Sequence, residues 1–160
     1  MHIEWLEGRI KEIEGEIERV MMGEEEMREK AKLLESVKGI GKMTAATLIG
    51  MLPELGKVSH KKIASLVGVA PMSDDSGKRK GKRVIKGGRK EVRAALYMAT
   101  MVMIRRNAVI RGYYERMVGR GKAKKAAIVA CMRKILVILN AMVRDKKPFK
   151  AGEHKNEVIL

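Results

Sequence analysis

Aromatic residues are nearly missing from this chain. One Trp, one Phe and three Tyr make up 3% of its 160 residues. A core built without them must be aliphatic, from Leu, Ile, Val, Ala and 13 Met, and such residues suit packed helices. The same scarcity argues against modules that stack bases on exposed Phe, Tyr or Trp. Cysteine is limited to Cys131, inside the apolar "AAIVACMRKILVIL", which allows no intramolecular disulfide and reads as a small core residue. A reduced, cytoplasmic setting is the expectation. No apolar h-region opens the chain. Its longest apolar stretch is interrupted by Arg133, Lys134 and Asn140, so it reads as a central core helix and not a membrane span. His2, His60 and His154 have no spacing that suits a metal site or a triad, and read as surface residues. Internal repeats and low-complexity tracts are also missing.

What the chain has in excess is positive charge. Its net charge is +16, while 46% of its residues are apolar. The apolar share excludes general disorder, and the length allows one real core with an appended helix. The charge points to a polyanionic partner, tracked through its phosphates rather than its bases.

The pattern along the chain is helical. Ile3, Leu6, Ile10, Ile13, Ile17, Val20, Met27, Ala31 and Leu34 alternate at spacings of three and four, with only Glu24 breaking the seam. This predicts one heptad helix over 3–34. Its apolar stripe must pair with a second chain or fold back, and Arg9 matched with Glu14 across a parallel pair favours a homodimer. From Ser36, "SVKGIGKMTAATLIGML" predicts a helix end, a tight glycine turn and a new helix. "PELGK" reads as a loop, and "SHKKIASLVG" as a short helix with Ser59 as N-cap and Gly68 as stop. "VAPMSDDSGKRKGKRVIKGG" is too rich in Gly, charge and Pro for a helix, although its "KRVIK" could be a short strand. Helices follow over "RKEVRAALYMATMVMIRR", "AVIRGYYERMV" and, after a "GRG" turn, "KAKKAAIVACMRKILVILNAMVRD". The fold class expected is all-α: a coiled-coil arm over 1–35, a compact helical domain over 36–149 with one irregular basic loop, and a flexible tail over 150–160.

Two stretches carry candidate chemistry. In "KGIGKMTAATL", Gly39 and Gly41 flank Ile40 at a helix–helix turn. Glycine lets backbone approach a phosphate, the next helix's free N–H groups point at the anion, and Lys42 adds a cation. The plain alternative is a glycine turn between packed helices. In "DDSGKRKGKRVIKGGRK", Lys78, Arg79, Lys80, Lys82, Arg83, Lys86, Arg89, Lys90 and, just beyond, Arg93 form a cationic run suited to DNA phosphates. Composition alone supports only a solvated basic loop. Ser76 would need a base or a polarising environment to act as a nucleophile, although the arginines could stabilise developing negative charge. Tyr113 and Tyr114 in "GYYERM" read as packing plus a phosphate contact.

The run from "LVGVAPMSDDSGKRKGKRVIKGGRKEVRAALYMAT" through "YYERMVGRGKAKKAAIVACMRKILVILNAMVRD", with "GIGKMTAATL" before it, resembles the C-terminal domain of DEDD-type insertion-sequence transposases, the IS one-ten group. The resemblance covers roughly residues 36–149. It implies a helix-hairpin-helix element and a serine in an "SG" dipeptide that attacks DNA and is transiently linked to a phosphate. The matching positions are Ser76 and Gly77. It also implies a ribonuclease-H-like domain supplying acidic ligands for a divalent metal such as Mg, and a structured guide RNA bridging donor and target DNA. These residues contain no such acidic domain, and the adjacent Asp74 and Asp75 cannot form a metal cage alone. The chain by itself is therefore expected to bind nucleic acid without recombining it. The alternative is a non-catalytic helix-hairpin-helix DNA- or RNA-binding module.

Overall fold

The structure is a computed structural model that describes residues 1–71, 85 and 87–149. Seven helices account for most of these residues: α1 (His2–Gly23), α2 (Glu25–Glu35), α3 (Lys42–Met51), α4 (His60–Val67), α5 (Lys90–Arg106), α6 (Ala108–Gly119) and α7 (Lys124–Asp145). No strand occurs among the described residues, and the all-α expectation holds. The possible strand over "KRVIK" lies, except for Ile85, outside them, as does the tail over 150–160.

The centre of the fold is α7. It packs against α2, α4, α5 and α6, which is why its apolar residues run almost all the way round. Cys131, Met132, Ile135, Leu136, Leu139 and Met142 are all buried in the core. Among the described residues α7 alone is long and apolar enough to cross a membrane, and most of that stretch is covered by protein. Its one buried amide has a specific task. Asn140 Oδ1 accepts the Gly56 N–H at 2.8 Å, and Nδ2 donates to the Val58 carbonyl at 2.9 Å. This ties the α3–α4 connection to the core and leaves no buried amide atom unpaired.

The heptad segment is not one helix. It breaks at Glu24, whose backbone is extended at φ −107°, ψ 126°. Three causes coincide there. Gly23 weakens the end of α1, Glu24 puts a carboxylate on the apolar seam, and Glu25 and Glu26 favour the start of a helix, where the macrodipole stabilises acids. Beyond the break, Ala31 and Leu34 of α2 are fully buried in the core, and α2 packs on α3 and α7. Before it, Ile3, Leu6, Ile10 and Ile13 remain exposed; Val20 is 66% exposed while its neighbour Met21 is buried. Arg9 pairs with Glu12 one turn along its own helix.

The shorter elements start and stop for local reasons. The Ser59 hydroxyl accepts the Lys62 N–H at 3.3 Å and opens α4, which ends at left-handed Gly68. Asn107 separates α5 from α6, its Oδ1 accepting the N–H groups of Val109 and Ile110 at 3.0 and 3.3 Å. Arg111 reaches back to cap the last carbonyls of α5, those of Ile104 and Arg105.

Candidate nucleic-acid interface

The α2–α3 turn forms a compact hairpin. Val37 and Ile40 are buried beneath it, and the Ile40 N–H bonds the Val37 carbonyl at 2.9 Å. Gly39 has φ +112° and lies against Met103 of α5, so closely that a Cβ there would strike the Met103 side chain. Glycine at this position is therefore required by handedness and by packing together. Gly41 is different: its φ is ordinary, and the space around it is open. It precedes α3, whose first turn has no side-chain cap and no acid, so the free N–H groups there face outward.

Lys42 is exposed at this helix start, but it is not idle. Its ammonium is bonded to the Glu18 carboxylate of α1, which raises its pKa above the usual lysine value. Glu14, Glu18 and Glu35 line the groove between α1 and α3 beside it. The sequence pattern left open whether the heptad arm pairs with a second chain or folds back; the structure lays α1 against α3.

Ser76, Lys78, Arg79, Lys80, Lys82, Arg83 and Lys86 lie outside the described residues. The described residues do show how the two flanks of this sequence meet. Gly68 and Gly88 both have left-handed backbones, with φ +77° and +80°, and touch each other directly. A Cβ on Gly88 would run into the backbone of Val67 and Gly68, and one on Gly68 into the Gly87 carbonyl. The Arg89 N–H donates to the Leu66 carbonyl at 3.1 Å. The end of α4 and the start of α5 thus meet in one pinched neck.

Two of the candidate phosphate contacts turn out to brace that neck. Arg89 places its fork on Glu54, Nη1 at 2.5 Å and Nη2 at 2.6 Å, and Nη1 also donates to the Met51 carbonyl at 3.1 Å. The guanidinium hydrogen bonds and Glu54's own backbone hold the Glu54 carboxyl down at about 2. Arg93 donates from Nη1 to the Gly87 carbonyl. Lys90 is exposed in the first turn of α5 with no ion-pair partner among the described residues. The partner that sequence reasoning missed is Glu54. Its signal was its isolation, because it is the only carboxylate between Ser36 and Ser73.

Charge is distributed unevenly. Residues 1–35 carry eleven carboxylates against six Lys and Arg, whereas residues 36–160 carry eight against 29. Tyr113 is half-buried with the Lys134 ammonium 4.4 Å above its ring centre, and burial raises its phenol pKa. Cys131 is fully buried, which pushes its thiol up to about 11.

Comparison with known proteins fits this geometry. The profile described as "Transposase IS116/IS110/IS902 family" matches residues 31–115, from α2 through the hairpin and the neck into α6. The "Pilin gene-inverting protein" of Moraxella lacunata is 37% identical over 134 residues, which is 81% of this chain and 42% of that protein. The protein of the same name from Moraxella bovis matches to the same extent. The "Insertion element IS116 uncharacterized" protein of Streptomyces clavuligerus is 30% identical over 147 residues, 90% of this chain and 36% of its own length. The chain thus spans about two fifths of the length of these relatives.

Proposed function

The chain belongs to the IS116/IS110/IS902 family of transposases, and from that membership we propose that it binds DNA and takes part in strand transfer, with Ser76 as the nucleophile. The observation that carries the reading is the pinched neck. The residues that flank the sequence with Ser76 and its six Lys and Arg meet at one fixed point of the domain, formed by Gly68, Gly88, Arg89 and Glu54. Two of the relatives are named for inverting a pilin gene, a rearrangement of DNA.

On this reading the chemistry is a transesterification. The Ser76 oxygen attacks a backbone phosphorus and forms a phosphoserine ester. The bond from phosphorus to one sugar oxygen breaks, the serine proton is lost, and the departing oxygen gains a proton as a sugar hydroxyl. Lys78, Arg79, Lys80, Lys82, Arg83, Lys86 and Lys90 hold flanking phosphates, and the arginines stabilise charge on the phosphorane. The α2–α3 hairpin acts as a helix-hairpin-helix, with Gly39 shaping the turn, Gly41 admitting a phosphate, and Lys42 meeting it after exchanging Glu18 for DNA. The divalent metal of the reaction, Mg, belongs to acidic ligands elsewhere. Among the described residues no three His, Cys, Asp or Glu side chains come together to hold one. A structured guide RNA and a second copy of the chain are the further partners of this reading.

The test is a covalent adduct. In an assembly that supplies the acidic domain and the guide RNA, labelled DNA is incubated with the protein and resolved on a denaturing gel. Ser76→Ala is expected to remove the adduct and leave DNA affinity almost unchanged, since one hydroxyl adds little beside the flanking cations. Adduct formed by Ser76→Ala places the nucleophile elsewhere. Duplex binding with no adduct from the unaltered chain leaves the non-catalytic binding module as the function.

A further inference from the structure

We propose that the corner between α6 and α7 is a second surface for the phosphate backbone of a nucleic-acid duplex, separate from the hairpin and the neck. The proposal rests on the reading that this chain binds nucleic acid, and goes beyond it in where and how many times.

Arg116, Arg120, Lys122, Lys124, Lys125 and Lys134 gather on these two helices and the turn joining them, while Glu115 is the one carboxylate between Arg93 and Arg144. None of the six has an ion-pair partner among the described residues. Arg116 and Lys134 stand close enough that Arg116 adds to the effect of burial in lowering the Lys134 pKa. Crowding cations without counter-charges opposes folding and is relieved when an anion binds.

The position of two of these lysines is the more telling feature. Lys124 and Lys125 form the first turn of α7, which contains no acid. The macrodipole disfavours cations there and favours carboxylates. Acids open α1, α2 and α5, whereas α3 and α4, like α7, open on basic residues with no acid. Lysines in that turn act against the stability of α7, and polyanion binding accounts for them.

The surface is distinct from the hairpin. α6 packs on α5 and α7, α3 packs on α1, α2 and α5, and α3 and α6 do not touch. Its chemistry selects the partner. Between Arg111 and Lys134 no large apolar side chain is exposed, so a membrane would find no anchor there. Tyr113 is covered by Lys134 and Tyr114 is half-buried, so neither provides a stacking platform for single-stranded bases. Lys and Arg without exposed aromatics match a duplex followed along its phosphates.

The experiment is lysine acetylation of the full chain, with and without a short DNA duplex, mapped by mass spectrometry. Lys122, Lys124 and Lys125 are expected to be protected by the duplex, and Lys11 on the arm is not. Protection at the three should persist when Lys78, Arg79, Lys82 and Arg83 are all changed to Glu. A second variant, Arg120→Glu with Lys124→Glu and Lys125→Glu, should lower the slope of log affinity against log salt by about 3, roughly one per lost phosphate contact. Its thermal midpoint should stay level or rise, because carboxylates suit the start of α7. An RNA duplex that protects these lysines where DNA does not supports the surface and assigns it to RNA. Equal acetylation of the three with and without either duplex, in a chain whose Lys90 is protected, overturns the second surface and leaves the proposed function standing. Protection by anionic vesicles alone also overturns it. A chain that binds no duplex at any salt overturns both.

Discussion

Single side chains hold this fold at places where backbone would otherwise be stranded. Asn140 is the plainest case, because it satisfies one donor and one acceptor of the α3–α4 connection from inside the core. Asn140→Leu keeps the branched skeleton and removes both bonds, leaving the Gly56 N–H and Val58 carbonyl unpaired. The expected loss is about 1–3 kcal/mol, read from urea unfolding. In the sequence this residue registered only as a reason why α7 could not cross a membrane; its partners lie more than eighty residues away and had no local signature. Glu54 makes a different prediction. Its folded pKa of about 2 is below its ordinary value of 4.5. A depressed carboxylate stabilises the fold fully above 4.5, and that contribution disappears as pH falls through 2. Glu54→Gln should therefore flatten the acid limb of the stability curve between those values while leaving its shape above pH 5 unchanged. A curve of identical shape in the variant would remove the Arg89–Glu54 pair from the neck's stabilisation. Cys131, with its raised pKa and full burial, should stay unreactive to thiol reagents in the folded chain and become labelled only on unfolding.

At the scale of the element, α1 stands out because its apolar stripe is only half covered. Ile3, Leu6, Ile10 and Ile13 face solvent, whereas Met21 is buried towards α2 and α3. A second copy pairing along the exposed stripe is the arrangement the heptad favours. Leu6→Glu with Ile10→Glu should convert a dimer to a monomer in light scattering without lowering the thermal midpoint of the compact domain. A chain that is already monomeric at high concentration would be evidence against pairing. Most element positions were legible. Ser59, Gly68, the "GRG" turn and the Gly39–Gly41 hairpin all mark places where helices start or stop, because capping and glycine chemistry act within a few residues. The break at Glu24 was harder to read. Spacing alone treats one polar seam residue as a tolerated defect, and only the sum of Gly23, Glu24 and the acids that follow makes two helices more favourable than one.

For the whole molecule, the governing quantity is the separation of charge between an acidic arm and a basic body. The Lys42–Glu18 pair joins the two at the hairpin. Duplex binding is expected to weaken steeply with salt and to depend little on sequence, since the contacts proposed are to phosphates. Titration at two salt concentrations with two unrelated duplexes checks both points, and salt-independent affinity would refute the electrostatic account. The proposed site was read from composition alone, as a basic run with a serine before it. Its division of labour was not legible. Arg89 and Arg93 look like their neighbours in the sequence, yet they turn inward onto Glu54 and the Gly87 carbonyl. Which cation serves the fold and which faces a partner depends on where a distant carboxylate lands, and that is fixed only by the packed domain.

The contact between Gly68 and Gly88 also brings the two flanks of residues 72–86 together. Because those flanks meet at the neck, residues 72–86 are expected to be replaceable by a short Gly/Ser bridge. Each halving of the loop returns about 0.6 kcal/mol of closure entropy, so the excised chain should fold at least as well by circular dichroism while losing the share of its DNA affinity that the six excised cations supply. Foreign segments spliced at the same two ends should be carried on the same helical scaffold. Replacement of Gly88 by any side-chain-bearing residue should spoil the splice, because the junction closes by backbone touching backbone.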